Sequence, residues 1–141
     1  MFRTSLLATV FTVGFLSAAS AAMVNFAATL TSASEVPPKT SAGTGDMLGT
    51  LDTTTKEFTY TVTFNGLTGP ATMAHFHGPA KAGANAGVLI PLGNSPASPI
   101  HGSKVLTDDQ IRQLEAGLWY VNVHTQANPG GEIRGQVEEK K

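Results

Sequence analysis

The sequence predicts an all-β domain: a Greek-key-like sandwich or barrel of about eight strands, with one short helix at about residues 107–117. Short segments in which apolar and polar residues alternate recur along the chain. Such alternation is typical of strands that bury one face. Turns rich in glycine and proline separate these segments, as expected where strands are short and reverse often.

Residues 1–22 are predicted to be a signal peptide. Arg3 supplies a positive charge, residues 6–16 form an apolar run, and small residues follow at 17–22. The apolar run is shorter than the roughly 20 residues that a membrane helix needs. We therefore expect export to the periplasm or the exterior and no membrane span after signal cleavage. A β domain at residues 23–138 and a frayed tail at 139–141 would follow.

The first half of the domain contains the clearest strands. Alternating segments occupy residues 24–30, 43–51 and 57–64. The third is the strongest, because aromatic and β-branched residues alternate with outward-facing threonines. Pro37 and Pro38 end the first segment, since proline donates no ladder hydrogen bond.

Five further strands and the helix are expected after residue 70. The strands are expected at residues 73–77, 88–92, 100–106, 119–125 and 132–137. Pro91 favours an edge position for its strand. Thr107 and Gln110 have the spacing of a capping box, which predicts where the helix begins, and Gly117 predicts its end.

Composition excludes several classes of function. The chain has no cysteine, so thiolate metal sites, cysteine nucleophiles and disulfides are absent. The formal net charge is −1, and no basic patch offers a surface for nucleic acid or an anionic membrane. No motif for phosphate binding or for serine hydrolases occurs. We expect no catalytic residues of these kinds.

The four histidines are the main candidates for chemistry. His75 and His77 are two apart on a predicted strand, so their imidazoles share one face. His101 and His124 also fall on predicted strands. Neutral imidazole is the commonest metal ligand in proteins. A cluster of imidazoles without thiolates or paired carboxylates suits copper, with zinc as the second ion. Four structural histidines are the simpler alternative.

Other residues could support such a site. Met73 lies on the face of His75 and could add a thioether, which favours cuprous copper, although methionine is also a common core residue. Glu132 could orient a histidine or pair with Arg134. Arg134 could steer an anion or bond a loop carbonyl. Tyr120 and Asn122 share the face of His124 and are candidate supporting residues.

The motifs resemble the CHRD domain, which is named after chordin, an extracellular antagonist in animals, and which also occurs as a single-domain exported protein in bacteria. The resemblance rests on segments spread over nearly all of residues 23–138. They read Phe26-Ala-Ala-Thr-Leu, Glu35-Val-Pro-Pro, Phe58-Thr-Tyr-Thr-Val, Gly66-Leu-Thr-Gly-Pro, Ala74-His-Phe-His-Gly-Pro-Ala, Pro99-Ile-His-Gly, Leu106-Thr-Asp, Tyr120-Val-Asn-Val-His-Thr and Asn128-Pro-Gly-Gly-Glu-Ile-Arg-Gly-Gln. The resemblance implies a β-sandwich or barrel and does not imply one activity.

The histidine pattern is also similar to that of copper/zinc superoxide dismutase. The similarity consists of the His-x-His pair, two later histidines and a Gly-Gly-x-x-Arg segment that ends at Arg134. It implies that His75, His77, His101 and His124 hold a metal and that Arg134 guides an anion. The chain departs from that family in having no disulfide, no zinc loop rich in histidine and aspartate, and a longer spacing around His101.

Three functions are therefore to be compared. The leading hypothesis is an exported copper-binding domain that stores, buffers or carries the ion. The second is a non-catalytic module that binds another extracytoplasmic protein and uses its histidines structurally. The third is a redox enzyme with dismutase-like chemistry. The sequence leaves the oligomeric state open.

Overall fold

The structure is a computed structural model that describes residues 22–141. The signal peptide expected at residues 1–22 lies outside the described residues, apart from Ala22. Within residues 22–141, no helix has the length and apolar character needed to cross a membrane.

The described chain is mostly β-strand. Its strands are β1 Met23–Thr31, β2 Thr44–Asp52, β3 Glu57–Asn65, β4 Ala71–His77, β5 Val88–Asn94, β6 Ile100–Val105, β7 Tyr120–Thr125, β8 Ile133–Gln136 and β9 Glu138–Glu139. One helix, α1, spans Asp108–Glu115, and a single 3₁₀ turn spans Ser32–Ser34. The predicted all-β class with one short helix is confirmed.

The strands form one antiparallel, nearly closed, barrel-like sheet. Eight of them follow the order β5-β4-β7-β8-β1-β2-β3-β6. The pairs β1–β8, β3–β6 and β4–β7 join strands that are not consecutive in sequence, as a Greek-key connection requires. β5, which contains Pro91, lies at an end of this order, as its proline indicated. The ninth strand, β9, is not part of this order and pairs with β1.

The C-terminal tail differs from the frayed end that was expected at residues 139–141. Glu139 pairs with Phe26 in the β1–β9 register. The backbone N–H of Lys140 also donates to the carbonyl of Asn25 at 2.8 Å. These backbone hydrogen bonds order the tail, because β1 offers it a free edge beyond the short strand β8.

The core is organised around Phe58. Its ring meets Phe26, Phe76 and Trp119 edge-to-face, with centroids 5.9, 5.8 and 6.2 Å away. Each burial of a large apolar side chain contributes about 1.5–3 kcal/mol. Because Phe76 faces this core, its neighbours His75 and His77 must face the other side of β4.

Two segments cover the outer face of β4, β7 and β8. The side chain of Gln136 donates to the carbonyl of Ala80 at 2.8 Å, which fixes the loop at residues 78–87. Glu35, in the segment after the 3₁₀ turn, is only 3 % exposed beside Asn122 on β7. Polar residues that would face water on an open sheet are therefore buried.

Candidate metal centre

Three of the four histidines lie together on the covered face. His75 and His77 project from β4, and His124 projects from the neighbouring strand β7. One ligand nitrogen from each can be chosen so that all three lie within 4.8 Å of one another. His77 and His124 are buried, and His75 is partly exposed. The group is thus closest to solvent at His75.

Backbone carbonyls fix the tautomers of the two buried histidines. Nδ1 of His77 lies 3.0 Å from the carbonyl oxygen of Ala86, and Nδ1 of His124 lies 2.9 Å from that of Pro129. A carbonyl oxygen can only accept, so each Nδ1 carries the proton. In the neutral rings, each Nε2 then has a free lone pair. Metal-binding histidines are commonly held in this way.

His75 faces the group with Nδ1, whereas the other two histidines face it with Nε2. Its Nδ1 lies 3.1 Å from Nε2 of His124. Burial, and secondly the proximity of His124 and His77, lower the pKa of His75 to about 4. Burial also lowers the pKa of His77, although its bond to the Ala86 carbonyl acts in the opposite direction. Both rings are therefore neutral at neutral pH, which is the form that binds metals.

Asn122 lies between the two buried imidazoles. Its Oδ1 is 3.1 Å from Nε2 of His77 and 3.0 Å from Nε2 of His124. Its Nδ2 donates to Oε1 of Glu35 at 3.5 Å. Burial raises the pKa of Glu35, and the charge of Arg134 partly offsets that effect. The amide is thus oriented by a carboxyl on one side and faces the imidazoles on the other.

His101 does not join the other three histidines. It lies exposed on β6, and its Nδ1 is 3.0 Å from Oγ1 of Thr61 on β3. β6 pairs with β3, whereas β4 and β7 pair with each other. The expectation of a four-histidine cluster is therefore corrected to three, because strand pairing brings only His124 to the His75–His77 pair.

Met73 is the register partner of His124 in the β4–β7 pairing, and 36 % of it is exposed. The register shifts between Ala71 and Met73 in the β4–β7 pairing, and between Met73 and His75 in the β4–β5 pairing. Its role as a thioether ligand stays a prediction.

Glu132 is fully buried and orders two loops. It accepts bonds from the N–H and hydroxyl of Thr68, at 2.8 and 2.6 Å, from the hydroxyl of Thr125 at 2.6 Å and from Asn128 at 3.1 Å. Burial raises the pKa of Glu132, but the bonds from Thr125 and Thr68 outweigh it and lower the pKa to about 2. Its hydrogen bonds within the described chain reach neither Arg134 nor an imidazole.

Arg134 holds the covering loop. It is 2 % exposed, and its guanidinium donates to the carbonyl of Ala84 and, at 2.9 Å, to Oδ1 of Asn85. The guanidinium carbon lies 3.4 Å from the centre of the Tyr120 ring, a favourable cation–π contact. The sequence suggested that Arg134 steers an anion or bonds a loop carbonyl, and these contacts correspond to the second role.

The match to known proteins agrees with the sequence motifs. Residues 26–137 match the family model for the CHRD domain. The chain belongs to the CHRD family. No curated protein and no solved structure matches it. All three clustered histidines, and the residues that orient them, fall within the matched CHRD region.

Some residues of this CHRD site were not predicted from the sequence. The role of Glu35 has no local signal, because its contact with Asn122 spans 87 positions. The carbonyls of Ala86 and Pro129 belong to loops, and no pattern of side chains marks a backbone acceptor. The proline pair after Glu35 is the one local signal, since it indicates a segment of restricted conformation.

Proposed function

We propose that this CHRD domain is an exported metal-binding domain that holds copper through His75, His77 and His124. Its role is to store, buffer or carry the ion outside the cytoplasm. The observation that carries the proposal is the pair of Nδ1 protons held by the carbonyls of Ala86 and Pro129. They leave the Nε2 lone pairs of His77 and His124 free, and Nε2 of His124 lies 3.1 Å from Nδ1 of His75.

The ligand chemistry favours copper. Imidazole nitrogens suit copper and zinc, whereas calcium and magnesium require oxygen ligands. For a given site of this kind, the cupric ion binds more tightly than zinc. Zinc therefore remains the second candidate ion. The signal-peptide pattern at residues 1–22 supports a role outside the cytoplasm.

The arrangement also suits binding and release. Two ligands are buried on strands, which fixes their geometry, and His75 at the rim is partly exposed. An ion can thus reach the site without opening the core. A dismutase-like reaction has weaker support, since a guide for anions needs an accessible guanidinium and Arg134 is 2 % exposed. Among the contacts of residues 22–141, none specifically favours the protein-interaction alternative.

Copper titration of the purified apo-protein tests the proposal. The wild type should bind one cupric ion per chain in competition with a chelator of known affinity. The double variant His75→Ala/His77→Ala should lose that binding, because two ligands are gone. His101→Ala is the matched control, being an exposed histidine on β6, and should bind as the wild type does. Unchanged copper affinity in the double variant would refute the proposal.

A further inference from the structure

The side-chain oxygen of Asn122 is surrounded by atoms that can only accept. Oδ1 lies 3.1 Å from Nε2 of His77 and 3.0 Å from Nε2 of His124. Both Nε2 atoms carry lone pairs, because the Nδ1 protons of the two rings are donated to backbone carbonyls. Three hydrogen-bond acceptors, the Asn122 oxygen and the two Nε2 atoms, therefore face one another without a proton between them.

The orientation of the Asn122 amide is set from its other end. Nδ2 faces Oε1 of Glu35 at 3.5 Å, and a carboxylate oxygen accepts hydrogen bonds. Gly131 closes the same space, since a Cβ atom there would lie 2.2 Å from Oε1 of Glu35 and 2.8 Å from Nδ2 of Asn122. The hydrogen bond to Glu35 places the amide nitrogen towards Glu35 and the oxygen towards the imidazoles, and Gly131 leaves room for both side chains.

We propose that Asn122 is the fourth ligand of the metal centre and binds the ion through Oδ1, beside His75, His77 and His124. A cation at the centre of the group turns the mutual repulsion of the lone pairs into attraction. This inference rests on the proposed metal-binding function and specifies the ion that the site takes.

Three separations within the group are close to those between ligands of one small ion. Nδ1 of His75 is 3.1 Å from Nε2 of His124, close to the 3.0 and 3.1 Å separations that involve the Asn122 oxygen. Ligands about 2.0–2.1 Å from a tetrahedral ion lie roughly 3.3 Å apart. Shifts of a few tenths of an ångström adjust these three separations, and the three imidazole nitrogens, which lie within 4.8 Å of one another, draw together around the ion. Asn122 follows the same strand face as His124, two residues away, so the backbone already presents both ligands together.

The oxygen ligand determines the oxidation state that is favoured. Cuprous copper prefers soft sulfur ligands, whereas cupric copper and zinc accept nitrogen and oxygen together. A site with three imidazoles and one amide oxygen therefore selects divalent ions. A thioether ligand from Met73 would instead favour cuprous copper. Ion selectivity therefore distinguishes Asn122 from Met73 as the fourth ligand.

Affinities for cupric, zinc and cuprous ions, measured in wild type and in Asn122→Leu, test the inference. Leucine has a similar size and no donor atom. We expect the variant to lose roughly tenfold or more in affinity for the cupric ion and zinc, and to keep its cuprous affinity. Asn122→Asp retains an oxygen ligand and adds a charge, so its divalent affinity should equal or exceed that of the wild type. It also provides the test if Asn122→Leu fails to fold.

Each outcome bears on one proposal. Equal losses for all three ions in Asn122→Leu would mean that the residue only supports the fold, and unchanged affinities would mean that it is not a ligand. Either result overturns the inference, as does a loss of divalent affinity in Asn122→Asp. A wild type that binds none of the ions contradicts the proposed metal-binding function instead.

Discussion

The imidazole of His77 and the ring of Tyr120 lie parallel, with their centroids 4.8 Å apart and an angle of 3° between their planes. Both side chains also meet Ala86: its carbonyl accepts from Nδ1 of His77 at 3.0 Å and from the Tyr120 hydroxyl at 3.3 Å. Arg134 contacts the same aromatic ring and bonds the same loop. Tyr120 thus links the orientation of a metal ligand to the loop that covers it.

Tyr120→Leu should weaken copper binding by about tenfold, because His77 loses the ring that fixes its plane. Tyr120→Phe is the matched control. It retains the stacking surface and should bind copper nearly as the wild type does, while losing about 1 kcal/mol of stability with the hydroxyl bonds. Chelator competition and chemical unfolding measure the two effects. Equal copper affinities in both variants would show that the stack does not orient His77.

Glu132 should make the domain sensitive to acid. Hydrogen bonds lower its pKa in the native state to about 2, below the ordinary value of 4.5. The unfolded chain therefore binds more protons as the pH falls through this range. The stabilisation from Glu132 is fully present above about pH 5 and is lost as the pH falls towards 2.

Unfolding free energies measured between pH 2 and 6 in wild type and Glu132→Gln check this expectation. The variant should be less stable at neutral pH, since an amide cannot accept all the bonds donated by Thr68 and Thr125, and its stability should fall less steeply with acid. Glu57→Gln, at an exposed glutamate on β3, is the control. Parallel pH profiles for wild type and Glu132→Gln would contradict the assignment.

Gly131→Ala should strain the site directly. Gly131 has a φ of 125°, which side chains rarely adopt, and its Cβ would meet Glu35 and the Asn122 amide. We expect a loss of about 1–3 kcal/mol in stability together with weaker metal binding. Gly130→Ala is the neighbouring control, because a Cβ there meets nothing within 4 Å. Similar melting temperatures for the two variants would argue against the close packing described.

Thr107→Ala tests a feature that is separate from the site. Thr107 and Gln110 form the capping box with reciprocal bonds of 3.2 and 3.0 Å. The substitution should cost about 1 kcal/mol of stability and leave metal affinity unchanged, because the bonds of the capping box join only Thr107 and Gln110. A drop in copper affinity would mean that general destabilisation, rather than ligand loss, governs binding.

The features that sequence reasoning predicted correctly are those set by local rules. The alternation from Phe58 to Val62 placed β3 and its inward face, because side chains on a strand alternate by covalent geometry. The capping box placed the start of α1, because its reciprocal hydrogen bonds join residues only three apart. His75 and His77 share a face because they are two residues apart on β4.

Non-local pairing could not be predicted in this way. His101 and His124 gave the same local signal, since each lies on a strand. Only the pairing of β7 with β4, and of β6 with β3, decides that His124 joins the cluster and His101 does not. The burial of Glu35 against Asn122 likewise depends on a contact across most of the domain.

The most direct test of the metal centre is the nitrogen NMR spectrum of the histidine rings before and after addition of zinc, a diamagnetic ion suited to the same ligands. In the apo-protein, His77 and His124 should show protonated Nδ1 and free Nε2. Zinc should shift Nε2 of these two residues and Nδ1 of His75, and leave His101 unchanged. Zinc shifts at His101 with any of the three clustered rings unaffected, or no shifts at all, would contradict the three-histidine site.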